Sequence, residues 1–277
     1  MIARFTTFEV MGADVTIQLG GATADGQTDN SGYFDIELSP DRIDSGWVTA
    51  YATLGTRPGT KFPIEVLIIP PDCYRMVISD IDDTVLMNGE GNTLRTVWTT
   101  MAGTALSRRA TMGASDLYRL LTRPSPATPD LAATPTPLFF VSSSPWNLYD
   151  FLVEFLAVNR FPRAPLLLRD IGLNRASLAS SAHESQKVNA ITEILQRLPN
   201  PTAVLIGDTS QSDPRAFARV MAAHPYRVMR AFVGDVSNGR RELEVRTLAD
   251  ALPASAGVLQ SVQDLAEVET HLAQLGW

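Results

Sequence analysis

The segment Asp80-Ile-Asp82-Asp83-Thr84 sets two carboxylates two residues apart, directly after a short apolar run. The pair has separable uses. Asp80 can attack phosphorus to give an aspartyl-phosphate. Asp82 can protonate a leaving oxygen and then deprotonate a water. Aspartates after a strand also make turns and helix caps, and on this motif alone the two readings stand level. A second carboxylate pair lies in Gly207-Asp208-Thr-Ser-Gln-Ser-Asp213, again after an apolar run. Gly207 lets the backbone approach a ligand, and Asp208 is a hard oxygen donor of the kind magnesium prefers. Asp213 either orients the waters of such an ion or caps the helix that Pro214 opens. Ser142 follows a third apolar run. Its hydroxyl, with nearby helix N–H groups, can hold a phosphate oxygen, or it can simply cap. Lys187 reads as lying in the first turn of a helix, where the helix dipole opposes a cation. A phosphoryl group or a cluster of carboxylates accounts for it there; a solvated lysine is the plainer alternative.

These residues need a parallel sheet to bring them together. From Pro70-Pro71 onward apolar runs alternate with helical periodicity, which is the pattern of an α/β fold with a parallel sheet. Strands are expected at 75–79, 137–141, 166–168, 203–206 and 228–233. Helices are expected at 115–121, after Ser144 as cap with Pro145 in its first turn, at 185–198, from Asp213-Pro214, and at 262–275. In an open parallel sheet ligands bind beyond the carboxyl ends of the strands. The two carboxylate motifs and Ser142 all fall at such ends.

Residues 1–70 have a different character. Val15–Leu19 and Phe34–Leu38 alternate, Asp29-Asn-Ser-Gly32 is a turn signal, and 47–52 and 62–69 read as further strands. A small all-β sandwich is expected over 1–70, followed by the α/β domain over 71–277. The sandwich is read as a structural or recognition module that can bind a partner.

The chain of 277 residues has 45% hydrophobic and 19% charged residues, enough to build two cores. Its net charge is −7, with −5 in residues 1–70 from four Lys/Arg and nine Asp/Glu. No basic domain is present, which argues against nucleic acid as a partner. A single cysteine, Cys73, cannot form an internal disulfide. No apolar run approaches a membrane span, and the N-terminal residues lack a signal layout. The expectation is a soluble, cytoplasmic protein.

The order Asp-x-Asp-x-Thr, Ser, Lys, Gly-Asp-x4-Asp resembles the haloacid dehalogenase superfamily of phosphatases. The resemblance extends to a narrower family. Val77-Ile-Ser-Asp-Ile-Asp-Asp-Thr-Val85, Phe140-Val-Ser-Ser-Ser-Pro-Trp-Asn-Leu-Tyr149, Leu166-Leu-Leu-Arg-Asp170 and Leu205-Ile-Gly-Asp-Thr-Ser-Gln-Ser-Asp-Pro214 are similar to the actin-patch-type phosphatidate phosphatase catalytic domains, relatives of the lipins. The sequence departs from that family's pattern at Gln186, where His is usual, at Ser143, where Asn is usual, and at Gly234, where Arg is frequent.

The resemblance implies a Rossmann-like sheet carrying a small cap. It implies Asp80 as nucleophile and Asp82 as acid/base. Thr84, Ser142 and Lys187 would lie on the phosphoryl group. Mg2+ would sit on Asp80, Asp208 and the carbonyl of Asp82, with Asp213 beside it. Arg169 would contact substrate, or pair with Asp170 or another acid. The implied substrate is a phosphate monoester, phosphatidate at a membrane surface. A soluble phosphomonoesterase and a catalytically inactive binding protein are the alternatives. In the segment 87–113, Leu94, Val97, Trp98, Met101 and Ala105 share a helical face, with Arg95, Arg108 and Arg109 nearby. That segment reads as a small cap packed on the core, or as an apolar stripe with arginines lying on lipid.

Overall fold

The computed structural model describes residues 10–81, 113–124, 135–169, 180–209, 212–235, 239 and 241–277, without the side chains of residues 169, 180–183 and 265. The segment expected as a cap lies outside these residues. So do Asp82, Thr84 and the side chain of Arg169. The chain divides into two compact units, Met1–Pro71 and Asp72–Trp277.

In the first unit β1 (Asp14–Leu19), β2 (Ala22–Gln27), β3 (Gly46–Leu54) and β4 (Lys61–Ile68) form one antiparallel sheet in the order β2-β1-β3-β4. Gly20 takes a φ of +59° in the two-residue link between β1 and β2, a conformation that glycine adopts without penalty. Val15, Ile17, Leu19, Ala50 and Ala52 make the buried face, and Ile36, Leu38 and Ile43 pack against it. The expected sandwich is not what the described residues show, since they contain a single sheet. Phe34–Leu38 is not a strand. Ile36 and Leu38 do turn inward as the alternation required, but the segment covers the sheet without joining a ladder. The Asp29–Gly32 turn forms, with the Asp29 carboxylate accepting from the amides of Ser31 and Tyr33 at 2.8 and 2.9 Å.

The second unit is an α/β layer structure. Its strands are β5 (Arg75–Asp80), β6 (Leu138–Pro145), β7 (Leu166–Arg169), β8 (Thr202–Asp208), β9 (Val228–Gly234) and β10 (Val258–Val262). All are parallel, in the order β10-β9-β8-β5-β6-β7. The chain enters at the middle of the sheet, builds outward to β7, crosses back to β8 beside β5 and builds outward again. This is the Rossmann order, with its reversal between β5 and β8. The flanking helices are α1 (Ala114–Leu121), α2 (Tyr149–Val158), α3 (Ser180–Arg197), α4 (Asp213–Ala223), α5 (Glu242–Asp250) and α6 (Leu265–Gln274). The central strands carry unbroken apolar runs, Met76–Ile78, Leu138–Val141 and Ala203–Ile206, because both faces are covered. Val77, Phe140, Val204, Ile206 and Phe232 are buried with Leu117, Leu152 and Phe155 from the helices.

Three local expectations are corrected. The strand after Pro137 runs through Ser142–Pro145, and a 3-10 turn at Trp146–Leu148 separates it from α2; Ser144 therefore does not cap that helix. The helix carrying Lys187 begins at Ser180, not at Ser185. Val262 closes β10, and the terminal helix starts at Leu265 behind Asp264, whose carboxylate accepts from the amides of Ala266 and Glu267.

Candidate active site at the strand reversal

Asp80 is the last residue of β5 and Asp208 the last of β8. The ladder pairs Ser79 with Ile206, so the two carboxylates end adjacent strands at the point where the strand order reverses. Asp213 is the first residue of α4, just inside the Ser212 cap position. A carboxylate there meets the favourable end of the helix dipole. Its Oδ2 accepts the amide of Asp208 at 3.3 Å and its Oδ1 the ammonium of Lys187. The choice left open for Asp213 is thereby narrowed: its side chain turns back into the cluster. Each of Asp80, Asp208 and Asp213 offers a carboxylate oxygen within 4.8 Å of the others, and all three are buried.

Gly207 makes this closeness possible. A Cβ at this position would run into the Asp213 carboxylate and stand 2.9 Å from the Phe217 ring.

Lys187 reaches the cluster from the third turn of α3. It lies well inside the helix, so the dipole argument does not apply to it. Its ammonium is 2.6 Å from Asp80 Oδ1 and also bonds Asp213, and the residue is 1% exposed. Burial alone would strip its proton. The carboxylates of Asp213, Asp80 and Asp208 outweigh that and hold its pKa above the ordinary lysine value. Among the described residues three buried carboxylates gather around one ammonium, and carboxylates grouped this closely are hard oxygen donors for a divalent cation. These residues fit magnesium.

Ser142 is buried in β6, next to the edge on which Asp80 ends. Its Oγ accepts the amide of Ser144 at 2.9 Å, and its carbonyl accepts from Gln186 at 3.3 Å. Thus Asp80, Ser142, Lys187, Asp208 and Asp213 all belong to the strand-end region that the sequence pointed to.

Two groups that the sequence did not single out support them. The Arg241 guanidinium donates to the carbonyl of Thr209, and Thr209 in turn donates its amide to Gly234 O (2.9 Å) and its hydroxyl to Asp235 (3.3 Å). This ties the loop after Asp208 to the end of β9. Under β5, Tyr118 of α1 hydrogen-bonds Ser79, the neighbour of Asp80. Neither residue type nor spacing signals Tyr118, whose hydroxyl matters only through a strand residue distant in sequence.

The chain is similar to known proteins over its α/β part. The family described as "Phosphatidate phosphatase APP1, catalytic domain" matches residues 75–235, more than half of the chain. An uncharacterized protein of Schizosaccharomyces pombe is 30% identical over 161 residues, covering 58% of this chain and 25% of that protein. Phosphatidate phosphatase APP1 of Saccharomyces cerevisiae is 23% identical over 199 residues, covering 72% of this chain and 31% of that protein. The matched region thus spans about a quarter to a third of the length of these relatives. Among solved structures, the magnesium and phosphate complex of D,D-heptose 1.7-bisphosphate phosphatase from B. bronchiseptica overlaps 73% of this chain and 99% of its own at 16% identity. The TM-score is 0.45, too low to bear on function. By the match over residues 75–235, the chain belongs to the phosphatidate phosphatase APP1 catalytic-domain family.

Proposed function

We propose that the protein is a magnesium-dependent phosphatase of the haloacid dehalogenase type that hydrolyses phosphatidate to diacylglycerol through an aspartyl-phosphate. The observation that carries the reading is the convergence of Asp80, Asp208, Asp213 and Lys187 in one buried cluster at the strand reversal.

In this reading Asp80 attacks phosphorus. Its carboxylate is paired with Lys187, whose ammonium also neutralises phosphoryl oxygens. Ser142 and Thr84 hold the remaining oxygens and align the phosphoryl group for in-line displacement. Asp82 gives its proton to the leaving alcohol, then takes one from the water that cleaves the aspartyl-phosphate. Asp80, Asp208 and the carbonyl of Asp82 would hold the magnesium ion, with Asp213 orienting the site. When bound, that ion supplies Lewis-acid stabilisation of the phosphoryl charge. Arg169 contacts the substrate, and the N-terminal β domain binds a partner. The lipid substrate is proposed from the family and from the relative of that name in S. cerevisiae. Among the described residues no helix is long and apolar enough to cross a membrane, so a lipid would be met at its surface.

The test uses the whole chain with magnesium, phosphatidate in phosphatidylcholine vesicles and a soluble aryl phosphate. Phosphate release from vesicles, lost in Asp80→Asn with the fold intact, is expected. Turnover of the aryl phosphate alone would reassign the protein as a soluble phosphomonoesterase. Turnover of neither would leave a binding protein. Full activity of Asp80→Asn would remove the covalent scheme.

A further inference from the structure

Asp80 stands where the ladder on one side has run out. β5 pairs with β6 as far as Asp80, but with β8 only as far as Ser79. Attack on phosphorus tolerates little displacement of the nucleophile. The carbonyl of Asp80 accepts a hydrogen bond from the hydroxyl of its own neighbour, Ser79 Oγ, at 2.7 Å. Ser79 Oγ is in turn 2.5 Å from the hydroxyl of Tyr118. A serine hydroxyl has one proton, and here it is committed to the carbonyl. Tyr118 must therefore be the donor, and the chain has one direction: Tyr118 O–H to Ser79 O–H to the Asp80 carbonyl.

All the members are buried. Ser79 is 1% exposed and Tyr118 0%. The Tyr118 ring packs against both Phe140 and Phe161, each with its centroid 5.6 Å away. Burial raises the Tyr118 pKa, and the nearby Asp80 charge raises it further, so the phenol keeps its proton. In a dry setting successive hydrogen bonds strengthen one another.

We propose that Tyr118 is a positioning residue for the nucleophile: through Ser79 it fixes the backbone of Asp80, and with it the direction of the carboxylate. This rests on the reading of Asp80 as nucleophile. Among the described residues the Tyr118 hydroxyl bonds Ser79, and through Ser79 it reaches the Asp80 carbonyl.

The test measures kcat and KM on an aryl phosphate, magnesium affinity by calorimetry, and thermal midpoint. The variants are Tyr118→Phe, Ser79→Ala and the double variant. Tyr118→Phe keeps the ring in its core slot and removes only the donor. The expected result is a fall in kcat of about tenfold to a hundredfold. KM should change less than about twofold, and magnesium affinity should fall along with kcat, since the carboxylate whose direction is loosened belongs to the acidic cluster. Because both residues act through one chain, the double variant should lose no more kcat than Ser79→Ala alone. A Tyr118→Phe kcat within about twofold of the parent, with Asp80→Asn inactive, overturns this proposal and leaves the proposed function standing. A loss seen only in thermal midpoint, or only as raised KM, also overturns it by making Tyr118 a packing residue. If Asp80→Asn itself is active, the proposed function fails first.

Discussion

Lys187 Nζ lies 2.6 Å from Asp80 Oδ1, with both side chains almost completely withdrawn from solvent. The same ammonium bonds Asp213. Neither charge is tolerable there without the other, because breaking a buried ion pair leaves an unbalanced ion in a medium that cannot solvate it.

Lys187→Met removes the cation while keeping an unbranched side chain of similar length. Three buried carboxylates then face one another. Without divalent metal the variant should be less stable by about 3–5 kcal/mol in urea unfolding, and added magnesium should return part of that. An unchanged midpoint in metal-free buffer would contradict the electrostatic account.

Magnesium should stabilise the parent protein by mass action. Binding the folded state alone at a hundred times its dissociation constant adds about 2.7 kcal/mol, visible as a rising thermal midpoint. Asp208→Asn should weaken that response and raise the calorimetric dissociation constant. An equal response in parent and variant would take Asp208 out of the ion's coordination.

Gly207→Ala should be poorly tolerated although alanine is the smallest change available. The new methyl meets the Asp213 carboxylate and the Phe217 ring, so those side chains must give way. Overpacking of this kind costs about 1–3 kcal/mol. The carboxylate it displaces is the one holding the Asp208 amide. Magnesium affinity should fall together with stability, and a variant losing neither would show that the loop has room to give.

Cys73 should be a slow thiol. Burial raises its pKa, and the negative charge of Asp72 raises it further, against the lowering effect of a backbone hydrogen bond with Arg75. The folded protein therefore holds the thiol proton at a pH where the unfolded chain has begun to lose it. The stability this contributes is complete below the ordinary thiol range and is lost as pH rises through it. Disulfide-exchange reagents near pH 8 should react faster with urea-unfolded than with native protein. Equal rates would count against it.

The central strands were legible because a strand covered on both faces must be apolar along its length, and Arg75–Ser79 and Ala203–Ile206 leave few other readings. The elements at the margins were not. Ala22–Gln27 is a polar edge strand whose best signal was the Gly20-Gly21 turn before it. Glu242–Asp250 buries only Val245, so it has no stripe to detect. The first turns of α3, Ser180-Ser-Ala-His, carry no large apolar residue, and periodicity placed the helix start too late, with Lys187 near it.

In the site, the aspartates and Lys187 were legible from residue type and place in the α/β pattern. Ser79, Tyr118, Thr209 and Arg241 were not. Their parts depend on backbone carbonyls and on partners across the fold, and such contacts leave no mark in local sequence. The sandwich was inferred from a strand count that included Phe34–Leu38. Its alternation is genuine, but alternation reports a half-buried extended segment, not a ladder.

The order of the parallel sheet has a consequence for how activity is acquired. Because β5 and β8 are neighbours only after the chain has laid down β6 and β7 and returned, the acidic cluster has no precursor in any short stretch of polypeptide. Closing so long a loop is slow relative to local helix formation. A nascent chain that ends before β8 would hold Asp80 without Asp208, Asp213 or Lys187's second partner, and so without the acidic cluster. Competence should thus arrive late and in one step, when the second half of the sheet docks, and separately expressed halves should be inert until mixed.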